Sequence, residues 1–187
     1  MLKPLLIALA LCCVSPRLAF AEPVAPPLRA AILLRSLGYE RGVVAGQGPL
    51  LLVIVSGADG TSKTDAREMM SAFQALSSRM KIGDRAITLR TIEHRATADT
   101  QAQLRALAPA AVYFARGLEA STLELTVGAE VAHWVPMCAD GAALGAGCSV
   151  GVRALADASQ LVIDLKRAHK AQLSFDPRML RLAQVLQ

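Results

Sequence analysis

The stretch LLLVIVSGADGTSKTDAREMM, Leu50 to Met70, joins an unbroken aliphatic run, a glycine-bearing loop and the start of a helical pattern. Gly48-Pro49 and Ser56-Gly57 bound the run, and aliphatic residues without alternation read as a strand buried on both faces. Parallel sheets contain such strands. The helix that follows, over residues 63–81, places Met69, Met70, Phe73, Leu76 and Met80 at core spacing. Strand, loop and helix in this order are also the frame of a phosphate loop, G-x-x-x-x-G-K-[ST]. Counting from Gly57, Lys63 and Thr64 fall into place, but Ser62 stands where the pattern needs glycine. A Cβ there crowds the amides that would wrap a phosphate. Ser62 lies three residues before Asp65, the offset of a capping box, so it reads as the helix cap and nucleotide hydrolysis is not expected.

The same rhythm continues on both sides. Residues 86–93 alternate as a strand, 99–108 read as a helix stopping near Pro109, 111–116 as a strand, 117–131 as a helix and 133–139 as a fourth strand. Before the opening stretch, Pro23, Pro26 and Pro27 make a stiff lead-in. A helix then carries Leu28, Ile32, Leu33 and Leu37 on its core face, with Arg29 and Arg35 elsewhere. Repeated strand-helix units imply right-handed crossovers and an α/β three-layer sandwich on a mostly parallel sheet. The rhythm changes after residue 147: residues 147–155 and 160–165 predict a C-terminal antiparallel hairpin on the sheet edge. A short helix, a turn and a final amphipathic helix with Met179, Leu180, Leu182 and Leu186 complete the expected order. One domain is expected, over residues 22–187.

The first residues, MLKPLLIALALCCVSPRLAFAEP, combine Lys3, an apolar run from Leu5 to Val14, and Ala19-Phe20-Ala21 before Glu22. These are the three parts of a secretory signal peptide with an A-x-A cleavage site. The apolar run is too short for a permanent membrane anchor, and Leu11 and Cys12 precede the two cysteines where lipoprotein processing wants a small residue. The expectation is export, cleavage after Ala21 and a product that does not span the membrane. The signal removes Lys3 and Arg17, lowering the formal charge from +5 to +3. The remaining bases are interspersed with acids, so nucleic acid is not an expected partner. Cys138 and Cys148 bracket a loop of small residues, CADGAALGAGC, and in an oxidising compartment they read as a disulfide, either a plain staple or a redox sensor. Further metal ligands do not accompany them, and no metal or cofactor is expected.

Ligands of open parallel sheets bind outside the carboxyl ends of the strands, here the loops 56–62, 93–99, 116–121 and 138–147. Ser56, Gly57, Asp59, Gly60 and Ser62 form the candidate ligand loop, because a helix starting at 62–65 offers free amides to a small anion. His94, beside Glu93 just past a strand end, is the one credible acid/base residue. His133 is placed at a strand start and His169 in a lysine-rich helix, where it reads as solvated. H-E-x-x-H does not occur and nothing marks partners for Ser56 after its strand, so no catalytic residue is assigned and the protein is not expected to be an enzyme. Trp134, Met69, Met70 and Met80 read as core.

Residues 133–187 resemble the end of the YfiR-like family of exported bacterial proteins. Leu161-Val162-Ile163-Asp164-Leu165 matches its F-E-I-N-L type strand, Ala168 and Ala171 its small residues, Leu173-Ser174-Phe175 its G-L-x-x-S neighbourhood, and Met179-Leu180-Arg181-Leu182-Ala183 its terminal helix. Residues 29–43, RAAILLRSLGYERGV, are similar to the first helix of one branch. Gln172 stands where the family carries glycine, and Asp164 where it carries asparagine. The resemblance implies a fold like half of a periplasmic solute-binding protein and a periplasmic location. It implies a regulator that binds the external domain of a membrane diguanylate cyclase, and so acts on cyclic-di-GMP signalling; a sensor kinase is the other partner of that kind, and a second copy of the chain is a further one. Cys138 and Cys148 fall in the loop where the family's disulfides affect that behaviour. Two other functions stand beside it: a small-molecule binding module using the loop at 56–62, and a hydrolase of unassigned type using His94.

Overall fold

Two prolines begin the first helix instead of preceding it. In the computed structural model, which describes residues 24–127 and 129–187, α1 spans Pro26–Leu37 with proline in its first turn, where the missing N–H is unneeded and φ is already helical. The expected signal peptide, with Cys12 and Cys13, and Pro23 lie outside the described residues. The buried residues of α1 are Arg29, Ala30, Leu33, Leu34, Ser36 and Leu37, while Leu28 is 49% exposed. The helix is thus turned from its expected face, because Arg29 has a partner inside. A five-residue helix α2, Arg41–Ala45, follows.

The sheet begins with β1, Leu50–Ser56, whose central residues are buried as their unbroken hydrophobicity requires. Next come α3, Gly60–Ser77, the short β2, Lys81–Ile82, and β3, Arg85–Glu93. Helix α4 (Thr97–Leu107) leads to β4 (Ala111–Phe114). The helix expected over 117–131 is divided into α5 (Glu119–Thr126) and α6 (Ala129–Ala132) before β5 (Val135–Cys138). A 3-10 segment, Gly141–Ala146, leads to the hairpin of β6 (Val150–Ala154) and β7 (Ser159–Asp164). The chain closes with α7 (Leu165–Lys170), α8 (Pro177–Leu180) and β8 (Gln184–Leu186). The last of these departs from the expected amphipathic helix. Only Pro177–Leu180 is helical, and residues 184–186 pair in parallel with β7.

The eight strands lie in the order β2-β3-β1-β4-β5-β6-β7-β8. Pairing is parallel from β3 through β6 and antiparallel only at β2/β3 and β6/β7. The mostly parallel α/β sandwich with its antiparallel hairpin is therefore observed, with β8 added outside the hairpin. The connection from β1 steps to one side, to β3; those from β3 and β4 step to the other. Right-handed crossovers consequently place α3 on one face and α4 and α5 on the opposite one. Helix α1 packs on α3, and α5 on α4 and the 3-10 segment. The core runs along both faces: Phe73 of α3 meets Tyr113 edge-on at 5.8 Å, and Trp134 packs against Phe114 at 5.9 Å. Trp134 and Met69 are fully buried, with Met70 and Met80 packed partly against the core.

Register makes the hairpin project. Met137 pairs with Val150 and Cys138, the last residue of β5, with Gly151, so residues 152–154 continue past the carboxyl edge of the sheet. At its base Cys138 and Cys148 are bridged, their Cα atoms 5.8 Å apart.

Candidate functional site

β1 leaves the sheet toward β3, and the chain returns from β3 to β4 on the other side of β1. The carboxyl ends of β1 and β4 therefore flank the switch point, where open α/β sheets bind their ligands. The candidate loop Ser56 to Ser62 lies there, facing residues 115–118 after β4.

The loop is built differently from the expected one. Asp59, not Ser62, caps α3: its Oδ1 accepts from Ser62 N–H at 2.8 Å. The helix starts a turn earlier because Asp59 is itself a strong cap and Gly60 and Thr61 accept helical geometry. Ser62 lies inside the first turn, and its Oγ accepts from Gly57 N–H at 2.6 Å. The amides of Gly57 and Ser62 are thus already satisfied, and the Asp59 carboxylate stands at the helix start where an anion would have to sit. The loop is not an open anion cradle. It favours a cationic group beside Asp59.

Two glycines allow the carboxylate its place. A Cβ on Gly57 would lie 2.9 Å from Asp59 Oδ2, and one on Gly117, whose φ is +87°, would lie 3.1 Å from Oδ1. Asp59 therefore sits between the two strand-end loops, against backbone on both sides.

Below it is a buried polar cluster absent from the sequence reading. Asp65 accepts from Arg29 Nη2 at 2.8 Å, from the Tyr113 hydroxyl at 2.7 Å and from Arg116 N–H at 3.2 Å. The Arg116 Nε is 3.8 Å from the same carboxylate, with about 30% of its side chain exposed at the strand end. Arg29 also reaches Ala139 O at 3.4 Å, next to Cys138. One carboxylate thereby ties α1, α3 and the ends of β4 and β5. Burial, ahead of the Asp65 charge and hydrogen bond, pushes the Tyr113 phenol well above its ordinary range, so it serves as a donor. Asp65, taken from the sequence as a capping partner, is the hub. Its signal would have been a tyrosine and an arginine at one strand end together with an arginine near the start of an apolar helix.

The other sequence candidates do not join this crevice. His94 N–H donates to Ser56 O at 2.7 Å, and its Nδ1 lies 3.0 Å from Thr100 Oγ1. The Thr100 hydroxyl gives its proton to Ala96 O at 3.0 Å, so the imidazole is assigned as the donor to Thr100, an orienting contact within the β3–α4 loop. His133 is exposed in a left-handed conformation, φ +54°, at the end of α6, with β5 starting two residues later. His169 is exposed on α7. Lys63 Nζ is 3.7 Å from Glu93 Oε1, over the end of β3.

No known family model and no curated protein matches the chain. Solved structures do. The domain from Streptococcus pneumoniae crystallised in complex with L-Trp superposes with a TM-score of 0.62 at 11% identity over 87% of this chain. A conserved domain protein from Vibrio cholerae gives 0.62 at 14% over 89%. The fold resembles half of a periplasmic solute-binding protein. A ligand-free, open substrate binding protein with adhesive properties from Clostridium difficile superposes at 0.56, with 8% identity over 74% of the chain and 54% of its own. The chain spans 60% and 61% of the length of the first two structures. No helix among the described residues of this lobe is long and apolar enough to cross a membrane.

Proposed function

We propose that this lobe is an exported binding module that holds a small charged molecule in the β1–β4 crevice and performs no chemistry on it. The observation that carries the reading is the Asp59 carboxylate, seated between Gly57 and Gly117 at the switch point, with Arg116 next to Gly117. An exposed acid and a partly exposed base beside one switch point suit a zwitterion: an ammonium donates charge-assisted hydrogen bonds to Asp59, and a carboxylate matches the planar guanidinium of Arg116. The pneumococcal neighbour is described in complex with L-Trp, which supports amino acids as the first ligand class to test. Calorimetry of the protein against the common amino acids, dicarboxylates and inorganic phosphate supplies that test. Asp59→Asn keeps an oxygen to cap α3 but removes the charge, and should weaken an amino acid by about tenfold or more. Binding of none of these compounds, or binding indifferent to Asp59→Asn, overturns the reading.

A second reading is control of a membrane signalling protein, a diguanylate cyclase or sensor kinase, through its external domain. It is favoured by one backbone detail: Gln172, standing where the YfiR-like pattern carries glycine, has φ +57°, the conformation glycine adopts most readily. Recovery of such a cyclase or kinase from solubilised membranes by the purified protein supports it. Retention of none, under both oxidising and reducing conditions, removes it.

A further inference from the structure

The two edges of the sheet are unlike. β8 ends one. On the other, β2 pairs with β3 at Lys81↔Ala86 and Ile82↔Arg85, so residues 87–93 have β1 on one side and, among the described residues, no strand on the other. His94 N–H donates to Ser56 O, and ladder alternation then turns the N–H and C=O groups of Thr88, Arg90 and Ile92 toward β1. Those of Ile87, Leu89, Thr91 and Glu93 face outward, a row roughly 20 Å long at the rise of a strand. Thr88, Arg90, Thr91 and Glu93 are exposed, so no loop among the described residues covers the row.

Beside this edge, between β3 and α3, runs an open groove of about 730 Å³ lined by Lys63, Arg67, Met70, Gln74, Thr91 and Glu93 among others. Its floor is partly apolar and its rim is cationic. Among the described residues Arg67 reaches Lys63 O and Thr64 Oγ1 of its own helix, while Glu93 is shared by Lys63 at 3.7 Å and Arg95 at 3.6 Å. Arg90 adds an exposed positive charge on the other face of the strand, turned away from the groove.

Cationic side chains on a free edge discourage pairing with an identical edge, since like charges opposite each other destabilise a ladder. The same charges attract an acidic strand. Guarding the edge needs no groove, whereas an added strand needs somewhere to put alternate side chains. We propose that the open edge of β3, with the β3–α3 groove, binds an extended acidic segment of another protein as an added β-strand. Outward backbone groups give the affinity, Met70 takes an apolar side chain on the groove face, Lys63 and Arg67 select for acid on that face, and Arg90 does so on the opposite one.

A display library of blocked peptides about ten residues long, with Glu, Asp, Val, Ile, Thr, Tyr and Phe varied at every position, spans that length of edge, samples acid and apolar side chains on either face, and tests the proposal. The best peptide is then titrated into the isotope-labelled protein and followed by NMR. Expected are slowed exchange of the amides of Ile87, Leu89, Thr91 and Glu93 but not of those facing β1, and weakening by about tenfold or more on Arg67→Glu or on N-methylation of alternate peptide residues. N-methylation alters only the peptide, so it reads strand addition even if a variant folds poorly. No library member binding below about 1 mM overturns the proposal. So does binding that survives N-methylation, binding mapped to the Asp59 crevice, or protection of the β3 edge by self-association of the protein alone. An amino acid bound at Asp59 should be indifferent to Arg67→Glu, so failure of this inference and failure of the crevice reading are told apart.

Discussion

Arg29 Nη2 lies 2.8 Å from Asp65 Oδ1, and the two side chains are 1% and 4% exposed. No other ion pair among the described residues is buried on both sides. The pair joins helices 36 residues apart in sequence beneath the crevice. Removing one member strands the other charge out of water, which typically costs about 3 to 5 kcal/mol. Arg29→Met and Asp65→Leu should each lose roughly that much in urea unfolding, and the double substitution should lose less than either single change. Tyr113→Phe removes one hydrogen bond to a carboxylate that keeps its others, and should cost about 1 to 2 kcal/mol. A double mutant less stable than both singles would show that the pair acts independently of its charge balance.

The bridge between Cys138 and Cys148 closes a loop across a sequence separation of 10. Constraining so short a loop in the unfolded chain contributes about 2 to 3 kcal/mol on the chain-entropy account. Cys138→Ala/Cys148→Ala should lose about that amount relative to the oxidised protein, and a reductant should lower the oxidised protein to the same level. Peptide mapping of protein recovered from an oxidising compartment should show Cys138 joined to Cys148. Two free thiols there would contradict the bridge.

How far the sequence carried the fold depended on how local the signal was. β1 and α3 were readable from their own residues, because a continuous aliphatic strand and a helical stripe need no knowledge of neighbours. Arg29 was misplaced for the opposite reason: hydropathy puts an arginine on the wet face, and its partner Asp65 belongs to another helix. The cap of α3 was missed by three residues because Asp59 and Ser62 both have capping chemistry and only the geometry separates them. Residues 179–186 carry leucines at helical offsets, yet 184–186 are used by β7, a pairing that periodicity cannot show. The candidate loop at the switch point is legible in the sequence, but the position of its carboxylate is not, since only the fold brings Asp59 to rest between two glycines.

Helix α7 ends with Leu173 N–H donating to Ala168 O at 2.8 Å and Gln172 in the left-handed region at φ +57°. That is the arrangement in which glycine is usual, because a Cβ is strained there. Gln172→Gly should stabilise the protein by about 0.5 to 1 kcal/mol, despite the greater freedom glycine gives the unfolded chain. Thermal or urea unfolding of the single variant reads it directly, and an unchanged or lowered midpoint would mean that the Gln172 side chain makes up the strain.

Asp176 caps α8 through Arg178 N–H at 2.7 Å and pairs with the Arg178 guanidinium at 2.8 Å. The side-chain hydrogen bond from Arg178 is the largest cause, and with the backbone bond it lowers the Asp176 carboxyl to about 2. A carboxyl held below its unfolded value near 3.8 favours the folded state while it is ionised. Its contribution is therefore complete above about pH 4 and is lost as pH falls through about 2. NMR titration of the Asp176 side chain should place its midpoint near the lower value in the native protein, and Arg178→Gln should move that midpoint up toward the ordinary aspartate range. The carboxyl is partly exposed and its partner Arg178 largely so, so solvent screening should keep the effect on global stability small, and its sharpest sign should be fraying of residues 177–180 in acid. A midpoint unmoved by Arg178→Gln would assign the lowering to the helix start alone.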